Sequence, residues 1–397
     1  MAHRSKAAEI GHWLMASLAA LGLVAVATLA QAADPIRIGV LLPFSKAFAV
    51  LGENTFAGFM LGAKEAGPTI AGRPYTIVKE DDTADPSVGL SKVRKLIDRD
   101  EVDVIVGTVH SGVAAAIRNP IVDAKKLWLN PIATNDLLAE QGCSRYHFRF
   151  SNSAWQSAAP LGPWAKAKLG DRAYICVFNF AFGQQSAAHF KKAFTEAGGT
   201  VVGESFPPFN TTNYAPYFPA IKDAKPQFVF ANFAGADAVA FIKQYADFGL
   251  KGPIKVIGPS NLVSEDVLSA EGDAALGVYS NSYYTPSYDI PKNRAFVKAC
   301  KDAGKEADHF LCAGYDVAQA LFGALRETKG DVANKERLIQ IITDMRIDSP
   351  RGPLRFDPKN HNPISDIHLR TVQAGPLRHV VVDVLKDVRH PDMGCVL

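Results

Sequence analysis

Short apolar runs and longer stretches with apolar residues at helical spacing alternate along this chain. Residues 36–42 (Ile-Arg-Ile-Gly-Val-Leu-Leu) read as a buried strand, residues 43–48 as a turn and residues 52–65 as an amphipathic helix. Residues 75–80 predict a second strand, ended by Asp81-Asp82-Thr83-Ala84-Asp85-Pro86, and Ser87 is placed to cap the helix that runs through Leu96 and Ile97. Strands follow at residues 102–106 and 128–129. Each runs into a small polar residue, Ser111 or Thr134, at the start of a helix. This alternation predicts a parallel sheet with helices on both faces.

A second unit of the same kind begins near Ser151. Strands are predicted at residues 173–178, 200–204, 228–230 and 254–257, with helices at 182–194 (ended by Gly198-Gly199) and 236–248. Beyond Tyr279 the pattern gives helices at 293–301, 315–328 and 336–345. An extended segment follows from Gly352, then a hairpin of 368–372 and 380–384 around Ala374-Gly375-Pro376. The expected fold is α/β: two Rossmann-like doubly wound lobes joined by a multi-strand hinge. Lobe 1 is assigned residues 34–151 and 281–362, lobe 2 residues 152–280 and 363–397. Open α/β sheets bind ligands beyond the carboxyl ends of their strands, which makes the cleft between the lobes the expected site.

Residues 1–32 read as an export signal. Arg4 and Lys6 precede an apolar stretch at 13–29, and Ala30-Gln31-Ala32 supplies a small-x-small cleavage pattern, so cleavage after Ala32 and a periplasmic location are expected. An uncleaved anchor is the rival reading, since a membrane span needs about 20 apolar residues. No cysteine stands at the cleavage point, which speaks against a lipid anchor.

The formal net charge is only +3, and no basic stripe with interleaved aromatics occurs, so nucleic acid is not an expected partner. The five cysteines form no C-x-x-C and show no metal-ligand spacing; neither metal nor cofactor is expected. Cys300 and Cys312, flanking a short Gly-bearing connection, are the predicted disulfide, and Cys176 in an apolar run reads as a buried thiol. There is no G-x-S-x-G elbow and no G-x-x-x-x-G-K-[ST] loop. His147, His189, His309, His361, His368, His379 and His390 are dispersed, so an enzyme is not expected.

The two strand-to-helix junctions at Ser111 and Thr134 would leave backbone N–H groups pointing outward at the positive end of a helix dipole, suited to an anion. An ordinary N-cap has the same geometry, and the residues alone leave both readings open.

The order and spacing of several short motifs resemble the periplasmic substrate-binding proteins of the branched-chain amino acid type, the class I two-lobe proteins that feed ABC importers. The resemblance spans the chain after residue 32. It is carried by Ile36-Arg37-Ile38-Gly39-Val40 with Pro43-Phe44-Ser45, Asp81-Asp82, Val106-Gly107 to Ser111, and Asn130-Pro131-Ile132-Ala133-Thr134. Phe148-Arg149, Phe182-Gly183-Gln184, Ile257-Gly258-Pro259 and Tyr315-Asp316-Val317-Ala318 continue it. It implies a monomer that delivers its cargo to a membrane permease. It also implies a ligand carboxylate at Ser111 and Thr134, helped by backbone N–H groups around Ile132 and Ala133, with Phe182 at a ligand-contact position.

One departure matters. Amino-acid binders of this family place an acidic residue just after the second lobe's Gly-Pro to meet the ligand's ammonium; here Gly258-Pro259 leads into Ser260-Asn261. A buried ammonium without its carboxylate would lose roughly several kcal/mol. Glu265 or Asp266 would replace it only if the loop were shifted. Phe44, Phe48, Phe182, Phe233 and Tyr283-Tyr284 suggest instead a flat apolar ligand body, each ring pair adding about 0.5–1.5 kcal/mol beyond area burial. His110, beside Ser111, either donates to the ligand or packs against the junction. Arg149 reads as a hinge or strand-end residue, not a ligand clamp, and Trp155 and Trp164 as packing residues. The expected function is capture of a small carboxylate with an apolar or aromatic body, not a standard α-amino acid, by hinge closure. The alternatives are an exported sensor of the same fold acting on a membrane receptor, and a true branched-chain amino acid binder.

Overall fold

A computed structural model describes residues 34–397; the predicted export signal, with its cleavage after Ala32, lies outside the described residues. Strand β1, Ile36–Leu42, is buried along nearly its whole length, which is why it is apolar on both faces and does not alternate. It pairs in parallel with β3 (Arg73–Asp81) on one side and β4 (Val104–Gly107) on the other. With β2 (Thr69–Ile70), β5 (Leu127–Asn130) and β6 (His147–Arg149), the first sheet has the order β2-β3-β1-β4-β5-β6. Strand order reverses between β1 and β4, the place where a doubly wound sheet opens a crevice.

The second sheet contains β7 (Arg172–Val177), β8 (Thr200–Ser205), β9 (Phe228–Asn232), β10 (Lys255–Pro259) and β11 (Tyr279–Ser282) in the parallel order β8-β7-β9-β10-β11. It continues through antiparallel partners: β14 (Pro363–Gln373) beside β11, then β13 (Gly352–Phe356) and β12 (Ile347–Ser349), with β15 (Arg378–Val388) also on β14. The expected hairpin is therefore present but longer than residues 368–372 and 380–384, with β14 beginning at Pro363 and β15 reaching Val388.

The helices Ala49–Ala66 and His309–Glu327 meet through glycines. A Cβ on Gly58 would stand 1.9 Å from the Leu311 carbonyl oxygen, and one on Gly314 would stand 1.9 Å from that of Thr55. Asp308 caps the later helix by accepting from the Leu311 N–H at 2.7 Å, and its other oxygen accepts from the Asn54 amide at 2.8 Å. The start of the His309–Glu327 helix is thereby pinned to the first sheet's own helix layer.

Three local expectations need correction. The helix Pro86–Asp98 is capped by Asp85, which accepts from the Ser87 and Val88 N–H groups, and not by Ser87; the carboxylate lies one residue before the helix-starting proline, where a cap belongs. The Trp128–Thr134 half does not run into an α-helix. It enters a turn and one 3-10 turn, Asp136–Ala139, capped by Asn135. The disulfide joins Cys143 to Cys395 with a Cα–Cα distance of 5.6 Å, while Cys300 and Cys312 are buried free thiols on two successive helices. The bond fastens the tail that leaves β15 to the loop that follows β5. Cys176 is a buried thiol, as expected. Trp164 donates to Asp383 at 3.1 Å, and Trp155 packs edge-on against His390.

A non-reducing peptide map is expected to recover Cys143 and Cys395 in one linked species, and the denatured chain to expose three titratable thiols. Replacing both linked cysteines by serine should lower unfolding stability by about 2–4 kcal/mol, read by urea titration.

Candidate functional site

The carboxyl ends of both sheets open into one cleft that is partly open to solvent. From the first sheet come Val109 and Ser111 after β4, Ile132 and Thr134 after β5, and Ser151 and Asn152 after β6. The second sheet supplies Phe178, Phe180 and Phe182 after β7, Ala234 after β9, Ser260 and Asn261 after β10, and Asn281 and Tyr283 from the end of β11. Phe48 and Leu51 come from the segment after β1, and His309 and Phe310 from the pinned helix start.

Ser111 Oγ and Thr134 Oγ1 lie 3.1 Å apart, and the Thr134 N–H donates to Ser111 Oγ at 3.3 Å. The loop carrying Thr134 is held from behind. Ala133 N–H is taken by Asn130 Oδ1 at 2.9 Å and by the Thr108 carbonyl at 3.0 Å, so Ala133 sits in the wall's support and does not line the cleft. Ser151 Oγ donates to the Ile132 carbonyl at 2.8 Å. Arg149, fully buried, is the last residue of β6 and donates to the Ala133 and Asn135 carbonyls and to Asn362 Oδ1.

His110 is the N-cap of the Ser111–Asp123 helix. Its Nδ1 accepts from Gly112 N–H at 3.2 Å and Val113 N–H at 3.3 Å, which places the neutral ring's proton on Nε2. Burial pushes its pKa down to about 4. The ring stacks on Phe180 at 4.5 Å and is not on the cleft wall. Ser111 is thus the first helical residue, and the imidazole takes two of the amides that an anion would otherwise find there.

Phe48 and Phe182 line the cleft, with Phe178, Phe180, Tyr283 and Phe310 beside them. Phe233 does not: it is fully buried behind Phe178, among Tyr214 and Phe241. Phe44 turns outward, packing on Phe56 under the Lys79 ammonium. Tyr284 is buried against Phe296. Ser260 and Asn261 both line the site, and the Asn261 amide donates to Asn232 Oδ1 at 3.0 Å and to the Phe233 carbonyl at 2.6 Å.

Among the described residues, no Asp, Glu, Lys or Arg lines the cleft. Glu265 is buried and bonded to Arg370 at 2.8 Å, with His379 at 3.7 Å, and Asp266 accepts from the Ser264 hydroxyl. Neither reaches the site. Among the described residues no group of three or more His, Cys, Asp or Glu could hold a metal ion.

Side chains from the two sides meet across the cleft. Asp136 N–H donates to Gln185 Oε1 at 3.1 Å, Gln185 donates to Asn135 Oδ1 at 3.0 Å, and His189 meets Asp136 at 2.7 Å. Phe48 and Phe209 meet at 4.9 Å. Gly235, at φ 57°, would place a Cβ 3.1 Å from the Ala47 carbonyl, so both its backbone angle and this approach call for glycine.

Two sheets presenting their carboxyl edges to one cleft give the two-lobe architecture of class I periplasmic binding proteins. The chain belongs to the periplasmic binding protein family, whose pattern matches residues 35–376. It is 31% identical over 365 residues to a Leu/Ile/Val-binding protein homolog of Brucella melitensis, covering 90% of this chain and 92% of that one. An ABC-transporter solute-binding protein of R. palustris, solved in complex with benzoate, superposes with a TM-score of 0.87 at 31% identity, covering 91% of this chain and 100% of that one. A second, from Rhodopseudomonas palustris BisB5 with 3,4-dihydroxybenzoic acid, gives 0.85 at 30% identity, covering 90% and 99%. The protein is an ABC-transporter solute-binding protein, a role that implies a permease partner and a periplasmic location.

Residue-level reading missed His309, Phe310, Asn152, Asn281, Phe178 and Phe180. Phe178, Phe180 and Phe182 follow directly on the carboxyl end of β7, and that position was the usable signal. Nothing local marks His309, which reaches the cleft only through helix packing.

Replacing His110 by Ala should cost about 1–2 kcal/mol through the lost cap. The imidazole binds its proton more readily in the unfolded chain, so its contribution is complete above pH 6.5 and is lost as pH falls toward about 4. Urea unfolding of both proteins across that range should show the gap between them narrowing on the acid side.

Proposed function

We propose that the cleft captures a small carboxylate with an apolar, aromatic body, and that closure of the second lobe over the first produces the shape a permease recognises. The observation that carries this reading is the makeup of the wall: aromatic rings and neutral polar groups, with no carboxylate to meet an ammonium and the Ser111–Thr134 hydroxyl pair at the amino end of the Ser111–Asp123 helix. Hydroxyl donors at a helix amino end suit a carboxylate without a counter-cation. The rings offer edge and offset contacts to a flat body. An α-amino acid would leave its ammonium desolvated among Phe178, Phe180 and Ser260. The benzoate and dihydroxybenzoate complexes of the two relatives described above support the same ligand class.

In this reading the closing bodies are residues 34–151 with 281–362 and residues 152–280 with 363–397, and the protein acts as a monomer. Ile132, like Ser111 and Thr134, contributes from the first body; Phe182, Ser260 and Asn261 contribute from the second.

Calorimetry with benzoate- and cinnamate-type acids against leucine and valine tests the ligand class. Aromatic acids should bind; tight leucine binding without them would overturn the reading. Ser111→Ala and Thr134→Val should each weaken the acid by roughly 10-fold or more. Small-angle scattering should show compaction on saturation, and an unchanged radius would count against closure.

A further inference from the structure

Most polar groups of the cleft wall are already occupied. The Ser151 hydroxyl, the Asn261 and Asn281 amides and the Tyr283 hydroxyl all donate to protein acceptors. Two side chains differ. Asn152, 4% exposed, has an Oδ1 with no hydrogen-bond partner, and His309, also 4% exposed, has an Nδ1 with none. Both line the cleft.

The structure holds them rigidly. His309 is the first residue of its helix, behind the Asp308 cap, and its carbonyl accepts from the Tyr283 hydroxyl at 2.8 Å. Its ring lies 4.0 Å from that of Phe310. Burial pushes its pKa down to about 3 against the opposing pull of Glu265, so the ring is neutral and offers one donor and one acceptor. Asn152 sits where the chain leaves the first sheet for the Ser153-capped helix Ala154–Ala158.

Unpartnered polar atoms on a buried wall are unfavourable under an apolar ligand and favourable under one that bonds them. A charged group there would have no counter-ion on the wall. A hydroxyl both donates and accepts, and therefore fits either tautomer of His309 and either orientation of the Asn152 amide. We infer that the cleft selects, among aromatic carboxylates, those bearing a ring hydroxyl, and that His309 and Asn152 are the residues that recognise it. The inference rests on the carboxylate reading above and narrows it.

The test is calorimetry of the ligand-freed protein with benzoate, 3-hydroxybenzoate, 4-hydroxybenzoate and 3,4-dihydroxybenzoate, repeated on His309→Phe and Asn152→Leu. At least one hydroxylated acid should bind the wild type about 5- to 100-fold tighter than benzoate, the range expected when a buried polar group gains or loses its partner. That ratio should fall toward one in each variant. Equal binding of benzoate and all three hydroxylated acids would overturn the inference and leave the aromatic-carboxylate reading standing. Failure of every acid to bind would overturn both. A preference that survives both substitutions would overturn the assignment to these residues. Should one variant fail to fold, the other variant and the wild-type ligand series still decide.

Discussion

One fully buried cation holds the loop behind the cleft. Arg149 ends β6 with no solvent exposure, and its guanidinium spans the loop that carries Thr134 and the turn that precedes β14. Burial pulls its pKa down to about 10, opposed by the Asp136 and Glu140 carboxylates, so it stays charged at neutral pH. A planar fork of donors suits this position, because it meets two carbonyls and an amide oxygen at once where an ammonium would meet them one at a time. A buried charge left short of acceptors is costly. The backbone around Ala133 and Asn135 is therefore held to one course, and the hydroxyl of Thr134 is delivered to Ser111 by that constraint and not by a helix of its own.

The same economy of parts governs closure. His110 caps the helix that presents Ser111, and its ring is at the same time the surface on which Phe180 of the opposite lobe stacks. Phe48 likewise belongs to the cleft wall and to the contact with Phe209. Under the proposed function, a ligand ring seated beside them would join a set of aromatic contacts that already crosses the cleft, and binding and closure would draw on the same apolar surface. The polar contacts from Asn135 and Asp136 to Gln185 and His189 tie the two sides of the cleft together.

The buried acids show why composition alone misleads about a site. Glu265 and Asp266 stand a few residues past Gly258-Pro259, close enough in sequence to replace the acid expected there. Glu265 is committed to Arg370, which arrives from β14, and Asp266 to the hydroxyl of Ser264. Their charge is settled inside the lobe. Glu265 is bonded to a residue 105 positions further along the chain, a partnership that no local motif records.

By itself the sequence determined the alternation of strands and helices, because strands covered on both faces must be apolar throughout and helices covered on one face must be periodic. It also marked Ser111 and Thr134, since each lies just past a strand end, where backbone geometry turns the chain toward the cleft, while Ser260 and Asn261 stood out only through the family resemblance. Only the tertiary structure decided which neighbours face inward. Phe178 and Phe182 reach the cleft while Phe233, equally placed at a strand end, is taken up by Tyr214 and Phe241. Cys143 found Cys395 in place of the nearer candidates because Cys300 and Cys312 are held on separate helices. His309 entered the site through two glycines that let its helix lie close against another. Strand and helix patterns are local balances of burial and can be read locally; partnership is settled by packing between distant segments, and that information exists only once the chain has folded.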